Sequence, residues 1–210
     1  MKKTFSKTSL SAVTLCTAFA VGSPPAFAHA AADPHAMHHH MMMLEGTTRS
    51  TADYTPPPVS LLRQDGTRVF LPDELNDGRA VVLNFIFTTC TTVCPVTSEV
   101  FSQLQGRLGA YRDRVHLVSI SIDPEHDTPG VLRAYAKKFG AGPGWQFYTG
   151  TLVASIAAQR AFNVYRGDKM DHAPVTLLRL APDKPWVRID GFATADDLLH
   201  EFGAEVAAAR

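Results

Sequence analysis

Residues 80–95 read AVVLNFIFTTCTTVCP, and this stretch decides the fold. Its apolar first half, residues 80–87, is typical of a strand buried at the centre of a sheet. The strand is followed by two cysteines, Cys90 and Cys94. Pro95 then opens a run of apolar residues at four-residue steps, which predicts a helix that begins right after Cys94.

The chain beyond this stretch alternates strand-like and helix-like segments. Strands are predicted over residues 115–123, 175–180 and 186–189, and helices over residues 129–139 and 151–162 and from residue 194 onward. Thr128 followed by Pro129 is typical of a helix start, and Thr194 with Asp197 predicts a capping box. This order predicts an α/β fold, a thioredoxin-like sandwich in which helices flank a central mixed β-sheet.

Residues 1–28 have the pattern of a secretory signal peptide. Three lysines precede an apolar run over residues 10–21, and Ala26-Phe27-Ala28 fits a cleavage site. The apolar run is shorter than the roughly 20 residues that a membrane-spanning helix needs. We expect cleavage after Ala28 and export to a bacterial-type periplasm without a membrane anchor; an uncleaved N-terminal anchor is the alternative.

Cleavage would change both the charge and the cysteine content. It removes three lysines and no acids, which leaves a net charge of −3 with histidine neutral. A chain without a basic stripe is a poor binder of phosphate backbones, so nucleic acid is not an expected partner. Cleavage also removes Cys16 and leaves Cys90 and Cys94 as the only thiols. Because a disulfide closing so short a loop stabilises little, redox or metal chemistry explains this pair better.

Residues 29–58 are predicted to be a flexible tail that precedes the folded domain of residues 59–210. The tail is rich in Ala, His, Met, Thr and Pro, without an apolar period. Its candidate metal ligands fall within 15 residues: His29, His35, Met37, His38, His39, His40, Met41, Met42 and Met43. Imidazole and thioether together suit copper, and thioether favours Cu(I). The simpler interpretation is a polar spacer.

Cys90 and Cys94 lie between the predicted central strand and the next helix, where free backbone N–H groups favour the thiolate. Their spacing allows both sulfurs to face one metal ion and also allows a Cys90–Cys94 disulfide in the oxidised form, so it does not choose between them. Imidazole commonly completes a thiolate site for copper or zinc. His172 is the best candidate because it directly precedes a predicted buried strand, whereas His116 lies within a strand pattern and His200 on an exposed helix.

Three segments together resemble the Sco/SenC family, thioredoxin-like copper proteins that assemble the dinuclear copper site of cytochrome c oxidase. They are FTTCTTVCP at 87–95, SISIDPEHDTP at 119–129 and Asp171-His172, and the resemblance spans roughly residues 58–202. It implies that Cys90, Cys94 and His172 bind copper as Cu(I) or Cu(II).

The resemblance also gives the acidic positions of the second segment a role. It implies that Asp123 and Asp127 shape the rim of the site or dock a partner; the alternative is that both form turns and caps. Ala173-Pro174 departs from the family pattern. If this bond were cis, it would present backbone to a thiol-bearing substrate, as in thioredoxins.

Three functions stay open at this point. The first is an exported metallochaperone that takes copper, with a copper donor protein as one candidate source, and delivers it to an apo-cuproprotein such as an oxidase copper subunit. The second is a thiol-disulfide oxidoreductase that uses Cys90 and Cys94 and exchanges with a thiol reductant. The third is a copper buffer or sensor based on the tail. The sequence does not decide whether the protein is an enzyme, but copper binding needs His172 and simple disulfide exchange does not.

Overall fold

The computed structural model describes residues 46–208. Eight strands form one mixed sheet: β1 Thr48–Ala52, β2 Ser60–Arg63, β3 Arg68–Phe70, β4 Ala80–Ile86, β5 Val115–Ser121, β6 Trp145–Thr149, β7 Val175–Arg179 and β8 Trp186–Asp190. Their order across the sheet is β1-β8-β7-β4-β5-β6-β2-β3. Strands β4, β5 and β6 run parallel to one another, and β7 is antiparallel to β4. The predicted α/β fold with a mixed central sheet is confirmed.

The predicted central strand is β4, and it ends at Ile86, one residue earlier than expected. Its partner β5 is buried along its whole length. Such strands carry apolar residues on both faces because helices cover the sheet from both sides. The strands β7 and β8 also form where the sequence predicts them and pair as an antiparallel hairpin.

Five α-helices accompany the sheet in the described residues: α1 Leu71–Leu75, α2 Val93–Arg107, α3 Pro129–Lys138, α4 Leu152–Ala161 and α5 Ala195–Ala208. The predicted caps are present. Thr128 Oγ1 accepts the Val131 N–H at the start of α3, and Thr194 and Asp197 form the reciprocal capping box of α5. Within residues 46–208, no helix is both long and apolar enough to cross a membrane.

The predicted tail is too long at its C-terminal end, because residues 48–52 form strand β1. This strand pairs antiparallel with β8, from Thr48 opposite Asp190 to Ala52 opposite Trp186. Backbone hydrogen bonds to β8 hold it although its side chains are mostly exposed, and Arg49 makes two hydrogen bonds to Glu201 of α5. Residues 1–28, Cys16 and the His/Met cluster of residues 29–43 lie outside the described part of the chain.

Aromatic side chains fill both faces of the sheet. Phe162 packs on Tyr54, Phe85 and Trp186, with ring centroids 5.2–6.0 Å apart. A second group contains Phe101 of α2 and Trp145, whose ring centroids are 5.7 Å apart. Packing on both faces fixes β4 in the middle, and the loop that follows it therefore starts from a rigid support.

Candidate functional site

The two cysteines lie at the carboxyl end of β4, as predicted. Cys90 follows a turn in which its N–H bonds to the Phe87 carbonyl at 3.1 Å. Helix α2 begins at Val93, so Cys94 lies inside its first turn and not before the helix. The predicted start is wrong. Proline has no backbone N–H, but the N–H groups of the first helical turn have no partner within the helix. Pro95 therefore fits at the third helical position as well as at the first.

The two sulfur atoms have different surroundings. Cys94 is fully buried, and its Sγ accepts the Phe87 N–H at 3.5 Å. Cys90 is half-buried, and its Sγ accepts the Cys94 N–H at 3.3 Å. A hydrogen bond from the Cys94 thiol lowers the pKa of Cys90 to about 5. The same bond, together with burial, raises the pKa of Cys94 well above its ordinary value. Cys90 is therefore the reactive thiolate and Cys94 the protected thiol.

Asp127 holds the start of the cysteine loop through hydrogen bonds to its carboxylate. Its carboxylate is fully buried and accepts the Thr88 hydroxyl at 2.5 Å and the Ser121 hydroxyl at 2.6 Å. The Thr88 N–H also bonds to it, at 3.2 Å. Asp127 therefore ties the turn after β5 to the residue that begins the cysteine loop. Its burial removes it from any docking surface, and its bonds join the turn after β5 to the cysteine loop.

Asp123 lies at the edge of the same turn and forms an ion pair. Lys169 Nζ donates to Asp123 Oδ2 at 2.6 Å, and the same ammonium lies 5.8 Å from the centre of the Phe87 ring. Asp123 also forms the turn, since its carbonyl accepts the Asp127 N–H. The ion pair joins the turn after β5 to the short 3₁₀ helix Lys169–Asp171 that precedes His172. No local sequence pattern indicates this role of Lys169.

His172 lies at the same end of the sheet as the cysteines. It is buried, its Nε2 lies 2.8 Å from the Phe85 carbonyl oxygen, and its ring meets the Phe87 ring edge-on at 6.5 Å. Within residues 46–208, no three His, Cys, Asp or Glu side chains are gathered closely enough to hold a metal ion. In this conformation the imidazole contacts Phe87 at the start of the dithiol loop, and its Nε2 faces β4.

The peptide bond between Ala173 and Pro174 is trans, as are all others in the described residues. The Pro174 carbonyl accepts the Gly191 N–H at 2.9 Å. Because the bond is trans, the cis arrangement that would present backbone to an extended thiol substrate is absent. The Pro174 carbonyl is also engaged within the fold.

The two other histidines considered lie away from the dithiol, as expected. His116 is buried in β5, at the opposite end of the sheet, where it meets the Glu74 carbonyl and the Tyr148 hydroxyl. Burial lowers its pKa to about 4. His200 is exposed on α5. Of His116, His172 and His200, His172 is the one that contacts Phe87, at the start of the cysteine loop.

A mixed sheet flanked by helices, with a dithiol where the central strand leads into the next helix, defines a thioredoxin-like domain. Residues 46–184 match the model of one family, SCO1/SenC. This chain belongs to that SCO1/SenC family.

Relatives and solved structures agree. The chain is 35% identical over 105 residues to the SCO1 protein homolog of Bacillus subtilis and 34% identical over 110 residues to the human mitochondrial protein SCO1 homolog. These alignments cover 50% and 51% of this chain, and 53% and 35% of the relatives' lengths. The chain thus spans about half or less of the curated relatives it matches.

Two solved structures are similar over most of the described chain. BsSco, a member of the Sco family of cytochrome c oxidase assembly proteins with a disulfide switch, is 27% identical with a TM-score of 0.61. The match covers 75% of this chain and 96% of BsSco. Arabidopsis thaliana ScoI with copper bound is 28% identical with a TM-score of 0.57, over 73% and 98% of the two chains.

Proposed function

We propose that this protein is an exported copper chaperone that binds one ion, as Cu(I) or Cu(II), through Cys90, Cys94 and His172. It then passes the ion to an apo-cuproprotein such as the copper subunit of cytochrome c oxidase. The observation that carries the proposal is that the cysteines follow the carboxyl end of β4 and that His172 contacts Phe85 and Phe87 at that same end of the strand. Two thiolates with an imidazole are a donor set that copper prefers. The copper-bound structure of the similar Arabidopsis ScoI supports the choice of metal.

Copper binding through Nε2 requires His172 to reorient. Its Nε2 now lies 2.8 Å from the Phe85 carbonyl, so that contact must be given up before this nitrogen can become a ligand. The 3₁₀ turn Lys169–Asp171 can accommodate such a movement because its residues are exposed. The Cys94 thiol must also release its proton, so copper affinity rises with pH.

The test is an anaerobic copper titration of the reduced protein beside His172→Ala. We expect one tight site that depends on Cys90 and Cys94 and that weakens by at least tenfold in the variant. His200→Ala is the matched control, because it removes an exposed imidazole from α5. Equal affinity in the wild type and in His172→Ala would refute the proposed ligand set.

Thiol-disulfide exchange is the second candidate function, and the difference between the two sulfurs favours it. The accessible Cys90 thiolate would attack a target disulfide, form a mixed disulfide and release one target thiolate. Cys94 would then attack Cys90 Sγ and release the second target thiolate. The products are a reduced target and a Cys90–Cys94 disulfide, which a thiol reductant must reduce again. The disulfide switch of BsSco supports this candidate.

An exchange assay separates the two functions. If exchange is the activity, Cys94→Ser traps mixed disulfides with target proteins, and His172→Ala exchanges at the wild-type rate. If delivery is the activity, transfer of copper to an apo-oxidase subunit fails in both variants. The third function, a copper buffer, requires several ions held by residues 29–43 and none by the dithiol.

Export to the periplasm remains part of the proposal. It depends on the signal-like residues 1–28. N-terminal sequencing of the protein recovered from the periplasm tests it: a mature chain that begins at His29 supports cleavage, whereas an intact N-terminus in the membrane fraction supports the anchor.

A further inference from the structure

A cleft of about 240 Å³ lies directly beside His172, which forms part of its wall. The cleft is bounded by one face of α4 and by the chain that leads from α4 to β7. Its apolar lining comes from four side chains: Ile122, Leu152, Ile156 and Val164. None of these four belongs to the proposed copper site, so the cleft is a separate feature next to it.

The cleft reaches the end of the central strand. Ile122 lines it and follows β5, and the Ile122 N–H bonds to the Ile86 carbonyl at 2.8 Å. Ile86 is the last residue of β4, and the next residue, Phe87, contacts the His172 ring. A group that enters the cleft therefore lies next to His172 and close to the residues that lead into the cysteine loop.

Helix α4 presents a fixed wall to the cleft. Leu152, Ile156 and Gln159 line it at the i, i+4, i+7 spacing that places residues on one side of a helix. Gln159 is buried, and its Nε2 donates to Ser155 Oγ at 3.1 Å. Ser155 in turn donates to the Ser121 carbonyl of β5 at 2.9 Å. Because these bonds tie α4 to the sheet, the cleft exists without a bound molecule.

Large apolar side chains are exposed around the cleft. Among residues 46–203, four such side chains are exposed: Phe70, Leu152, Val153 and Met170. Leu152 lines the cleft and is 48% exposed, and Val153 follows it in α4. Met170 follows Lys169, which is another lining residue. Exposed apolar side chains gathered near one cavity are typical of a surface that binds another molecule.

Arg166 gives the cleft a cation that the fold leaves without a carboxylate partner. Two other charged residues of the lining are engaged locally: Asp168 accepts a backbone N–H of the 3₁₀ turn at 2.9 Å, and Lys169 pairs with Asp123. Arg166 is exposed, and among the described residues its guanidinium donates only to backbone carbonyls. A carboxylate on a bound molecule would form a charge-assisted hydrogen bond with it.

The size and the place of the cleft favour a protein side chain as its occupant. Pockets that hold small-molecule ligands usually have volumes of about 300–1,000 Å³, and this cleft is smaller. An apolar side chain that protrudes from another protein suits its volume and lining. Since His172 is both a wall of the cleft and a proposed copper ligand, that protein is one that exchanges copper with this chain.

We propose that the cleft docks the apo-cuproprotein that receives the copper: an apolar side chain of the partner enters it, and a neighbouring carboxylate pairs with Arg166. This inference rests on the proposed copper delivery and adds the place where the partner binds. Docking holds the partner's own ligands next to the ion, which favours its transfer. The apolar lining supplies no copper ligand. Substitutions in it therefore slow the transfer and leave the affinity for copper unchanged.

The test measures copper transfer from the loaded full chain to the purified apo copper domain of the same organism's oxidase subunit, under anaerobic conditions. Mass spectrometry of the separated proteins gives the second-order rate constant. We expect Leu152→Glu to lower this constant about tenfold, because it places a charge in an apolar contact. A carboxylate in the first turn of a helix is favourable, so the variant should keep its melting temperature. Gln103→Glu, at an exposed position of α2, adds the same charge and should transfer at the wild-type rate.

Arg166→Glu tests the charged contact. We expect about tenfold slower transfer at low salt and a smaller decrease on adding salt than in the wild type. Arg112→Glu changes another exposed arginine, outside this cleft, and should leave both values unchanged. Nuclear magnetic resonance gives a readout without copper. The backbone amide signals of residues 152–172 should shift when the apo domain is added to the copper-free wild type.

Docking at the cleft is overturned if Leu152→Glu and Arg166→Glu transfer copper at the wild-type rate. It is also overturned if Leu152→Glu lowers the affinity for copper, or if ultracentrifugation shows that the cleft joins two copies of this chain. The proposed function fails in a different way. If the wild type binds no copper, the copper site is wrong; if the loaded wild type transfers none to the apo domain, delivery to the oxidase is wrong and the docking proposal falls with it.

Discussion

Asp127 offers the sharpest test of how the cysteine loop is held. Replacing it by alanine removes the acceptor of the Ser121 hydroxyl, the Thr88 hydroxyl and the Thr88 N–H. Thr88 is half-buried, so water can replace its partner, but Ser121 is fully buried and loses a charged acceptor. An unsatisfied buried donor costs about 1–3 kcal/mol, and the Thr88 bonds add to it, which gives a loss of about 3 kcal/mol.

Two measurements check this value for Asp127→Ala. Urea unfolding should show the lower free energy of unfolding, and the melting temperature should fall by about 6–12 °C, since 1 kcal/mol corresponds to about 2–4 °C in a chain of this size. Alkylation of Cys94 under native conditions should become several-fold faster, because the loop from Thr88 to Cys90 is no longer tied down. Asp183→Ala, in an exposed turn, is the control and should change stability by less than about 0.5 kcal/mol.

One result would refute the reasoning. If Asp127→Ala unfolds within 1 kcal/mol of the wild type and Cys94 reacts as slowly as before, Asp127 does not hold the loop. A second variant, Asp127→Asn, guards against a general loss of folding. It keeps the shape and one acceptor oxygen, so it should lose about half as much stability and still fold.

Three further predictions follow from the same region. Lys169→Ala should lower the free energy of unfolding by less than about 1 kcal/mol, because its ion pair with Asp123 is partly exposed. It should nevertheless speed hydrogen exchange at the backbone amides of residues 169–172. A loss of stability above about 2 kcal/mol would contradict this expectation. Gly191→Ala should cost about 1–2 kcal/mol in urea unfolding and loosen β1, since its φ of +95° is unfavourable for alanine; unchanged stability would show that the turn relaxes freely. The alkylation rate of Cys90 should rise as the pH increases through about 5 and level off above 7, whereas a rise centred near 8.5 would mean that its pKa is not lowered.

The sequence was most informative where apolar runs and capping residues coincide. The run over residues 80–87 predicts β4 because a strand buried on both faces needs no alternation. Thr128 and Thr194 mark helix starts because their hydroxyls accept free backbone N–H groups there. These local signals act within a few residues, so they can be found without knowing the rest of the fold.

Other elements depend on distant contacts and were missed. Strand β1, with the sequence TRSTA, has no apolar period because it lies at the sheet edge with exposed side chains. Strand β6 and the β2–β3 hairpin were not predicted either. The roles of Asp127 and Lys169 arise from partners 39 and 46 residues away, which no local pattern contains. The sequence identified the candidate ligands but not the contact of His172 with the Phe85 carbonyl.

The burial of one sulfur at the start of α2 and the partial exposure of the other make the dithiol directional. A metal ion, an oxidant or the thiol of another protein meets Cys90 first, and it reaches Cys94 only after the first contact has been made. A bound group would leave in the reverse order, so its bond to Cys90 would be the last to break. A mixed disulfide with a partner would therefore form at Cys90 Sγ, and substitution of Cys90 would prevent it from forming.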